Sequence, residues 1–207
     1  MDHPSDGELL LRFRRGETEA FRALVLRHES ALLRHARALA AADRTLAEDA
    51  VQDALIRLIE RPPTLPDSVL GECASEHAYL AAWLHKVTRN ACMDRLRSES
   101  RRRRRENERA APELDVLRHD AVEHDDTKAA VEREMARLSP EQREVLALRL
   151  FADRSYAEIA EITGKKVGTV GWLISTGLRA LSRELEPLLG LEDERAERIT
   201  SIGGRAS

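Results

Sequence analysis

The chain has 207 residues, of which 34% are charged and only 3% aromatic, and its formal net charge is -3. This length allows one large or two small domains, and the low glycine and proline content is typical of a helical protein. The net charge excludes attraction of nucleic acid by an overall basic surface, so any such contact must come from local basic patches.

From Asp6 to about Glu60, apolar residues recur at the spacing of amphipathic helices. Three prolines at positions 62, 63 and 66 end this run, because proline lacks the amide proton that a helix interior requires. A second helical block is predicted from Tyr79 to about Arg105. Together these segments predict a first helical domain over residues 1–105.

The stretch 106–128 is charged and poor in apolar periodicity, which predicts a flexible linker. A second helical domain is predicted over residues 129–189, with Ser139, Pro140 and Gln142 forming a capped helix start. Residues 190–207 have little to bury and are expected to form a flexible tail. The predicted fold class is therefore all-α, with two small helical domains joined by a charged linker.

The segment from Ser155 to Leu181 predicts a helix-turn-helix within the second domain. Ala160 allows the two helices to pass closely, and Gly164 suits a turn that needs a positive φ angle. Val170 and Leu173 are expected to lock the second helix in place. Such a unit lays one helix in a DNA groove.

An acidic helix is predicted from Ala47 to Glu60, preceded by a capping box of Thr45 and Glu48. One of its faces carries an acidic strip with an apolar member, composed of Asp49, Gln52, Asp53 and Ile56. The pattern alone favours a solvated face over a protein-docking face.

A basic helix follows, and one of its faces is suited to nucleic acid. Cations neutralise phosphates, and an amide among them can pair with a base edge or hold an unstacked base. This face comprises Lys86, Arg89, Asn90, Met93 and Arg97, and an arginine run at 101–105 comes after it. A merely solvated face is an equally good interpretation, and the pattern favours a core position for Trp83.

No enzyme or metal site is expected from the sequence. His119 and His124 lie in the predicted linker without a rigid frame, and His28 and His35 are interpreted as packing or surface residues. No glycine-rich phosphate loop follows a strand, and no nucleophile has a recognisable base. The two cysteines, Cys73 and Cys92, lack a framework or Cys-x-x-Cys spacing. With no signal peptide or apolar span in view, a cytoplasmic protein without membrane insertion or cofactor is expected.

The order of these pieces resembles a bacterial RNA polymerase sigma factor of the extracytoplasmic-function type (sigma-70 family, group 4). The pieces are AEDAVQDALIRLIE, the basic helix with its tryptophan, the charged linker, LSPEQREVLALRLF and the terminal helix-turn-helix. The resemblance implies a sigma region 2-like first domain and a region 4-like second domain. It also implies core RNA polymerase and promoter DNA as partners and, in many such proteins, an anti-sigma factor.

The resemblance also implies residue roles. The acidic strip would dock on the clamp coiled coil of the largest polymerase subunit, and the second domain on the flap of the second largest. The minus-ten element would be recognised and melted by Trp83, Lys86, Arg89, Asn90 and Arg97, with Asn90 engaging a flipped-out base.

The second helix of the helix-turn-helix departs from the family pattern. Where several cations are usual, this chain has Gly171, Trp172 and Gly177 among uncharged residues, and the glycines weaken a helix. The candidate contacts to a minus-thirty-five element are Lys165, Lys166, Thr169, Trp172, Ser175 and Arg179. Weak reading of that element is expected, and Trp172 is as consistent with burial against a helix as with contact to a partner or a groove.

The resemblance implies a sigma factor that directs promoter-specific initiation and is not itself an enzyme. The alternative is a helix-turn-helix regulator that binds an operator as a homodimer and never recruits polymerase. A third interpretation, a helical enzyme or metal protein, would rest on the linker histidines and acids.

Overall fold

A computed structural model describes residues 4–40, 43–107 and 134–185, and these residues contain helices and no strand. The helices are α1 (Asp6–Arg14), α2 (Thr18–Leu39), α3 (Arg44–Glu60), α4 (Cys73–Asn107), α5 (Pro140–Phe151), α6 (Tyr156–Thr163) and α7 (Val167–Leu185). Residues 134–137 are also helical. The all-α prediction is confirmed, while the predicted tail and nearly all of the predicted linker lie outside the described residues.

Side-chain caps fix the starts of several helices. The Ser139 hydroxyl accepts from the Gln142 backbone N–H at 3.3 Å, and the Gln142 side chain accepts from the Ser139 N–H at 3.2 Å. This capping box confirms the predicted helix start at Pro140. A second box joins Ser155 to Glu158 at the start of α6.

The predicted capping box of Thr45 and Glu48 is wrong. The helix α3 begins at Arg44, three residues before the predicted start at Ala47, because the Asp43 carboxylate accepts the Leu46 N–H at 2.9 Å. Thr45 is thus already inside the first turn and cannot cap it. The Glu48 carboxylate accepts instead from Arg44 Nε at 2.7 Å.

The first core lies between α1, α2, α3 and α4. Its fully buried large residues include Leu24, Leu32, Leu58, Leu80 and Leu84. On α4, Leu80 and Leu84 are buried in this core, whereas Val87 and Ala91 are half-buried. Its other buried positions include His85, Thr88 and Cys92, and Cys92 belongs to the first core.

The helix α4 begins at Cys73, six residues before the predicted start at Tyr79. Its first turn is anchored by Glu76, whose carboxylate accepts the Gly7 N–H at 2.9 Å and the Gly71 N–H at 2.8 Å. The contact with Gly7 joins residues 69 positions apart in the chain, so the local pattern does not reveal it. Beyond Cys92, no further α4 residue with a described burial is fully buried.

The second core lies between α5, α6 and α7 and includes Leu146, Leu148, Ile159 and Ile174. Val170 and Leu173 are buried as expected. The two domains pack against each other, α2 on α5 and α4 on α6. This contact brings the basic face of α4 beside the second domain.

Candidate functional site

The acidic strip lies on the side of α3 that faces away from the core. Gln52 and Asp53 are exposed, Asp49 is half-buried, and Ile56 keeps 51% of its surface exposed. One turn on, Ile59 is 48% exposed, which the sequence pattern did not single out. Two large apolar side chains therefore lie at the surface next to the carboxylates, where a partner could cover them.

Arg95 of α4 holds the two carboxylates of the acidic strip in place. Its Nη2 and Nε lie 2.6 and 3.0 Å from Asp53 Oδ2, and its Nη1 lies 3.1 Å from Asp49 Oδ2. Sequence reasoning missed this fork, because Arg95 is 42 and 46 residues away along the chain. The fork fixes the geometry of the strip before any partner arrives.

The basic face of α4 is only partly accessible. Lys86, Asn90 and Arg97 are exposed, whereas Trp83 is half-buried against the first core. The Arg89 side chain is 22% exposed, and its Nε donates to Glu144 Oε1 of α5 at 2.5 Å. The structure thus gathers the five predicted minus-ten residues on one helix but places one of them in an ion pair with the second domain.

Glu144 lies almost fully buried between the two domains. Its side chain is 5% exposed, and His35 Nε2 is 3.9 Å from Oε1. Burial alone would raise the pKa of the Glu144 carboxyl, but neighbouring His35 and the Arg89 guanidinium together hold that pKa below its usual value. The carboxylate therefore stays charged against Arg89 at neutral pH.

Two histidines complete this buried group. His85 Nδ1 lies 3.2 Å from His35 Nδ1, and the rings meet edge to face. Burial, followed by the charges of nearby His35 and Arg154, lowers the pKa of His85 well below its ordinary value. His28 and His35 are both buried, so the packing interpretation of the two is confirmed.

The helix-turn-helix has the expected turn. Gly164 has a φ of 72°, which confirms the need for a residue that tolerates the left-handed region. Lys166, Thr169, Ser175 and Arg179 are exposed on α7 or just before it. Lys165 is half-buried and pairs with Glu141 of α5.

Trp172 keeps 63% of its surface exposed, so its burial against a neighbouring helix is ruled out. An exposed tryptophan on the second helix leaves contact with a partner or a groove as its remaining interpretations. Gly177, by contrast, is buried where α7 crosses α5. A Cβ atom at this position would lie 2.8 Å from Leu146 Cδ1, which gives a packing reason for a glycine inside the helix.

Asp6 is a buried carboxylate that links α1 to α2 and α4 in the first domain. Sequence reasoning missed it. Asp6 Oδ2 lies 2.8 Å from His28 Nε2 and 3.1 Å from His77 Nδ1, and Arg27 pairs with Oδ1. Burial would raise the pKa of Asp6, but the bonds with His28 and His77 hold it far below its usual value. Among the described residues this trio could also ligate a cation. The hydrogen bonds and the Arg27 charge already satisfy the carboxylate, and His119 and His124 lie outside the described residues.

Within the described ranges, none of the helices has the combined length and apolarity needed to cross a lipid bilayer.

Comparisons with known proteins match both domains. Residues 24–102 match the model of Sigma-70 region 2, and residues 128–181 match that of Sigma-70, region 4. The ECF RNA polymerase sigma factor SigM of Mycobacterium tuberculosis is 33% identical over 80% of this chain and 77% of its own. The RNA polymerase sigma-E factor of Streptomyces avermitilis is 31% identical over 90% of this chain and 98% of its own.

A solved structure has the same fold. It is the sigma factor RpoE of Bartonella quintana in complex with the anti-sigma factor NepR, with a TM-score of 0.61 and 23% identity over 80% of this chain and 96% of that one. The alternative of an operator-binding regulator is not supported, because a helix-turn-helix alone would not give a region 2 domain. The paired regions and these relatives show that the chain belongs to the ECF sigma factors, which direct RNA polymerase to specific promoters.

Proposed function

We propose that the acidic strip and Ile59 form the face that docks on the clamp of the largest polymerase subunit. The observation that carries this proposal is the pair of exposed isoleucines, Ile56 and Ile59, next to carboxylates that Arg95 already orients. Preorganised charges with an apolar centre make a good protein contact, since little side-chain freedom is lost on binding. The second domain would contact the flap of the second largest subunit.

Substitution of Ile56 tests the docking face. Ile56→Ala is expected to weaken core binding by about tenfold to a hundredfold, because burying a large aliphatic side chain contributes about 1.5–3 kcal/mol. Leu26→Ala is a matched control, since Leu26 is 70% exposed on α2. Titration of labelled protein with core polymerase measures both variants. Equal affinities would exclude the docking role of Ile56.

The choice of an apolar substitution matters here. A charge reversal at Asp53 would place a second cation against Arg95, so lost binding could reflect a disturbed contact between α3 and α4. Ile56 has no such partner to repel. Helical content measured by circular dichroism should match that of the wild type for both Ile56→Ala and Leu26→Ala.

For the minus-ten element, we infer that Asn90 captures an unstacked base and that nearby cations hold the strand. Asn90 is exposed and lies one turn from Lys86 on α4. Base capture couples recognition to strand opening, because the base must leave the duplex to be bound. Asn90→Ala should reduce permanganate reactivity of melted thymines while core affinity is retained. Ser100→Ala, an exposed change on the same helix, is the control. Equal reactivity of all three proteins would contradict this role.

For the minus-thirty-five element, the proposed contacts are Lys165, Lys166, Thr169, Trp172, Ser175 and Arg179. Lys165 is the weakest of these candidates, because it pairs with Glu141. Run-off transcription on pooled upstream fragments would supply the promoter sequences. Trp172→Ala should then reduce transcription only at promoters that carry a shared upstream element. A uniform loss across all promoters would instead place Trp172 against a protein partner.

The remaining assignments follow from these. The polymerase, rather than this chain, would perform the phosphoryl transfer, and the protein would act in the cytoplasm beside the chromosome. An anti-sigma factor is a further proposed partner, because the RpoE of similar fold was solved with one. Pull-down with tagged protein from its native host would identify that partner.

A further inference from the structure

One carboxylate and two imidazoles from three helices converge on a single point in the first domain. Asp6 begins α1, His28 lies in α2 and His77 lies in α4. Asp6 Oδ2 is 2.8 Å from His28 Nε2 and 3.1 Å from His77 Nδ1, and the three atoms all lie within 4.8 Å of one another. The fold thus brings residues 22 and 71 positions away along the chain to one oxygen atom.

The separations among these atoms are close to those that a zinc ion requires. Zinc binds histidine nitrogen and carboxylate oxygen at about 2.0–2.2 Å, so two ligand atoms of a tetrahedral site lie about 3.3–3.6 Å apart. The two rings lie 2.8 and 3.1 Å from Asp6 Oδ2, so a movement of about 0.2–0.8 Å would admit the ion. Imidazole together with carboxylate is a common ligand set for zinc, whereas Mg²⁺ and Ca²⁺ take oxygen ligands.

Hydrogen bonds outside the cluster hold the carboxylate in place. Arg27 pairs with Asp6 Oδ1, which is the other oxygen from the one that the two rings share. The guanidinium is itself held, because its Nη2 donates to the Pro4 carbonyl at 3.0 Å. Outer bonds of this kind orient the carboxylates that ligate metal ions in proteins.

The backbone beside two of the three residues is fixed as well. Glu76 precedes His77, and its Oε2 accepts at 2.9 Å from the N–H of Gly7, the residue after Asp6. A Cβ atom at position 7 would lie 2.7 Å from the same Oε2, so this close approach needs a glycine. The start of α1 is therefore positioned over the first turns of α4 before any ion binds, which favours binding because little order has to be gained.

The cluster is accessible from one side. Asp6 and His28 are buried, whereas the His77 side chain is 40% exposed. An ion could therefore enter beside His77, and water could supply a fourth ligand. A ring nitrogen that donates to the carboxylate has to lose its proton before it can bind an ion. A neutral ring moves that proton to its other nitrogen, and a charged ring releases it to solvent.

We propose that Asp6, His28 and His77 form a zinc site that fastens α1 to α2 and α4. The bonds from the two rings satisfy the Asp6 carboxylate in the metal-free chain, and coordination by Oδ2, His28 Nε2 and His77 Nδ1 replaces them. The pair with Arg27 remains. The site uses none of the residues proposed above for polymerase or promoter contacts, so it does not depend on those roles. The three ligands meet only when the helices have packed, so zinc should stabilise the folded first domain.

Calorimetric titration and thermal unfolding of the full chain test the site without any measurement of transcription. The chain should carry no affinity tag, because tag histidines bind zinc themselves. Zn²⁺ at about a hundred times its dissociation constant should raise the melting temperature by about 5–10 °C. Mg²⁺ at the same concentration should leave it unchanged, since that ion prefers oxygen ligands. The absence of zinc binding, or an equal shift with both ions, would overturn the proposal.

Variants identify the ligands. His77→Gln is the most informative, because His77 is partly exposed and glutamine can still donate to Asp6. Zinc affinity should fall at least about a hundredfold, which exceeds the tenfold to hundredfold typical of a lost outer bond. Circular dichroism of the metal-free variant should match the wild type. His119→Gln combined with His124→Gln is the control and should keep wild-type affinity. Unchanged affinity in His77→Gln, or a loss of affinity in the control, would refute the assigned ligands.

Cobalt reports the ligand set directly. Co²⁺ can replace zinc, and a four-coordinate Co²⁺ ion has visible absorption bands that the hydrated ion lacks. These bands should appear with the wild type and with Cys73→Ser, and they should be absent with His77→Gln. Cys73 is the test case because its exposed thiol lies one helical turn before His77. A thiolate-to-cobalt band in the near ultraviolet that Cys73→Ser abolishes would add this thiol to the site and overturn the three-residue assignment.

Discussion

Gly177, at the crossing of α5 and α7, allows a direct comparison between two opposing effects of alanine: the gain in helix propensity and the cost of overpacking. In an ordinary helix interior, replacing glycine by alanine stabilises a protein by about 0.5–1 kcal/mol. At Gly177 the new methyl group would lie 2.8 Å from Leu146 Cδ1 and 3.4 Å from Leu146 Cγ. Leu146 is fully buried, so it has little room to move.

Overpacking of this kind costs about 1–3 kcal/mol. We therefore expect Gly177→Ala to lower the free energy of unfolding by about 0–2.5 kcal/mol once the propensity gain is subtracted. Gly171 is the matched control on the same helix, because its added Cβ would meet Tyr156 at an ordinary 3.6 Å. Gly171→Ala should raise the free energy of unfolding by about 0.5–1 kcal/mol.

Urea unfolding followed by circular dichroism measures both variants. Each kcal/mol should correspond to a shift of about 2–4 °C in a parallel thermal melt. If Gly177→Ala raises the free energy of unfolding as much as Gly171→Ala does, the Leu146 side chain can move aside. The close approach of α5 and α7 would then not explain the glycine at position 177.

Two further predictions concern thiols and pH. Cys92 is buried, which raises its thiol pKa to about 12, whereas Cys73 is exposed. Ellman's reagent should therefore modify one thiol in the native chain and two after denaturation. Rapid modification of both thiols in the native chain would contradict the burial of Cys92. His85 has a pKa lowered below 6.5 by burial, so the unfolded state binds a proton first as pH falls. Its stabilising contribution is complete above pH 6.5 and should decrease by up to about 1.4 kcal/mol per pH unit below that value until its folded-state pKa is reached. Urea titrations across this window measure the slope, which His85→Gln should reduce; an unaltered slope would assign the effect to other groups.

The sequence predictions were correct for features that depend only on nearby residues. The capping box of Ser139 and Gln142 and the positive φ at Gly164 depend on neighbours within a few residues. The wrong prediction of a capping box at Thr45 also has a local cause. Asp43, the residue before Arg44, is an equally good N-cap, and it caps the helix instead of Thr45. Competing caps cannot be ranked from spacing alone.

The ion pairs that sequence reasoning missed at the candidate site join distant segments. Arg95 meets Asp49 and Asp53 across 46 and 42 residues, and Arg89 meets Glu144 across 55. The spacing of residues within one helix does not indicate which face of another helix it will contact. Helical spacing therefore indicated one basic face and one acidic face, but it could not show that the charge of each face is already partly neutralised.

The long helix α4 gives its arginine run a geometry with electrostatic consequences. The helix has 35 residues and so extends about 52 Å. Because successive residues are about 100° apart around an α-helix, the positions of the arginine run at 101–105 are spread around the axis and are not confined to one face. Such an array presents no single surface that matches one groove. It gives a positive potential that attracts phosphates from any side, so DNA association should depend steeply on ionic strength while carrying no sequence preference from this segment.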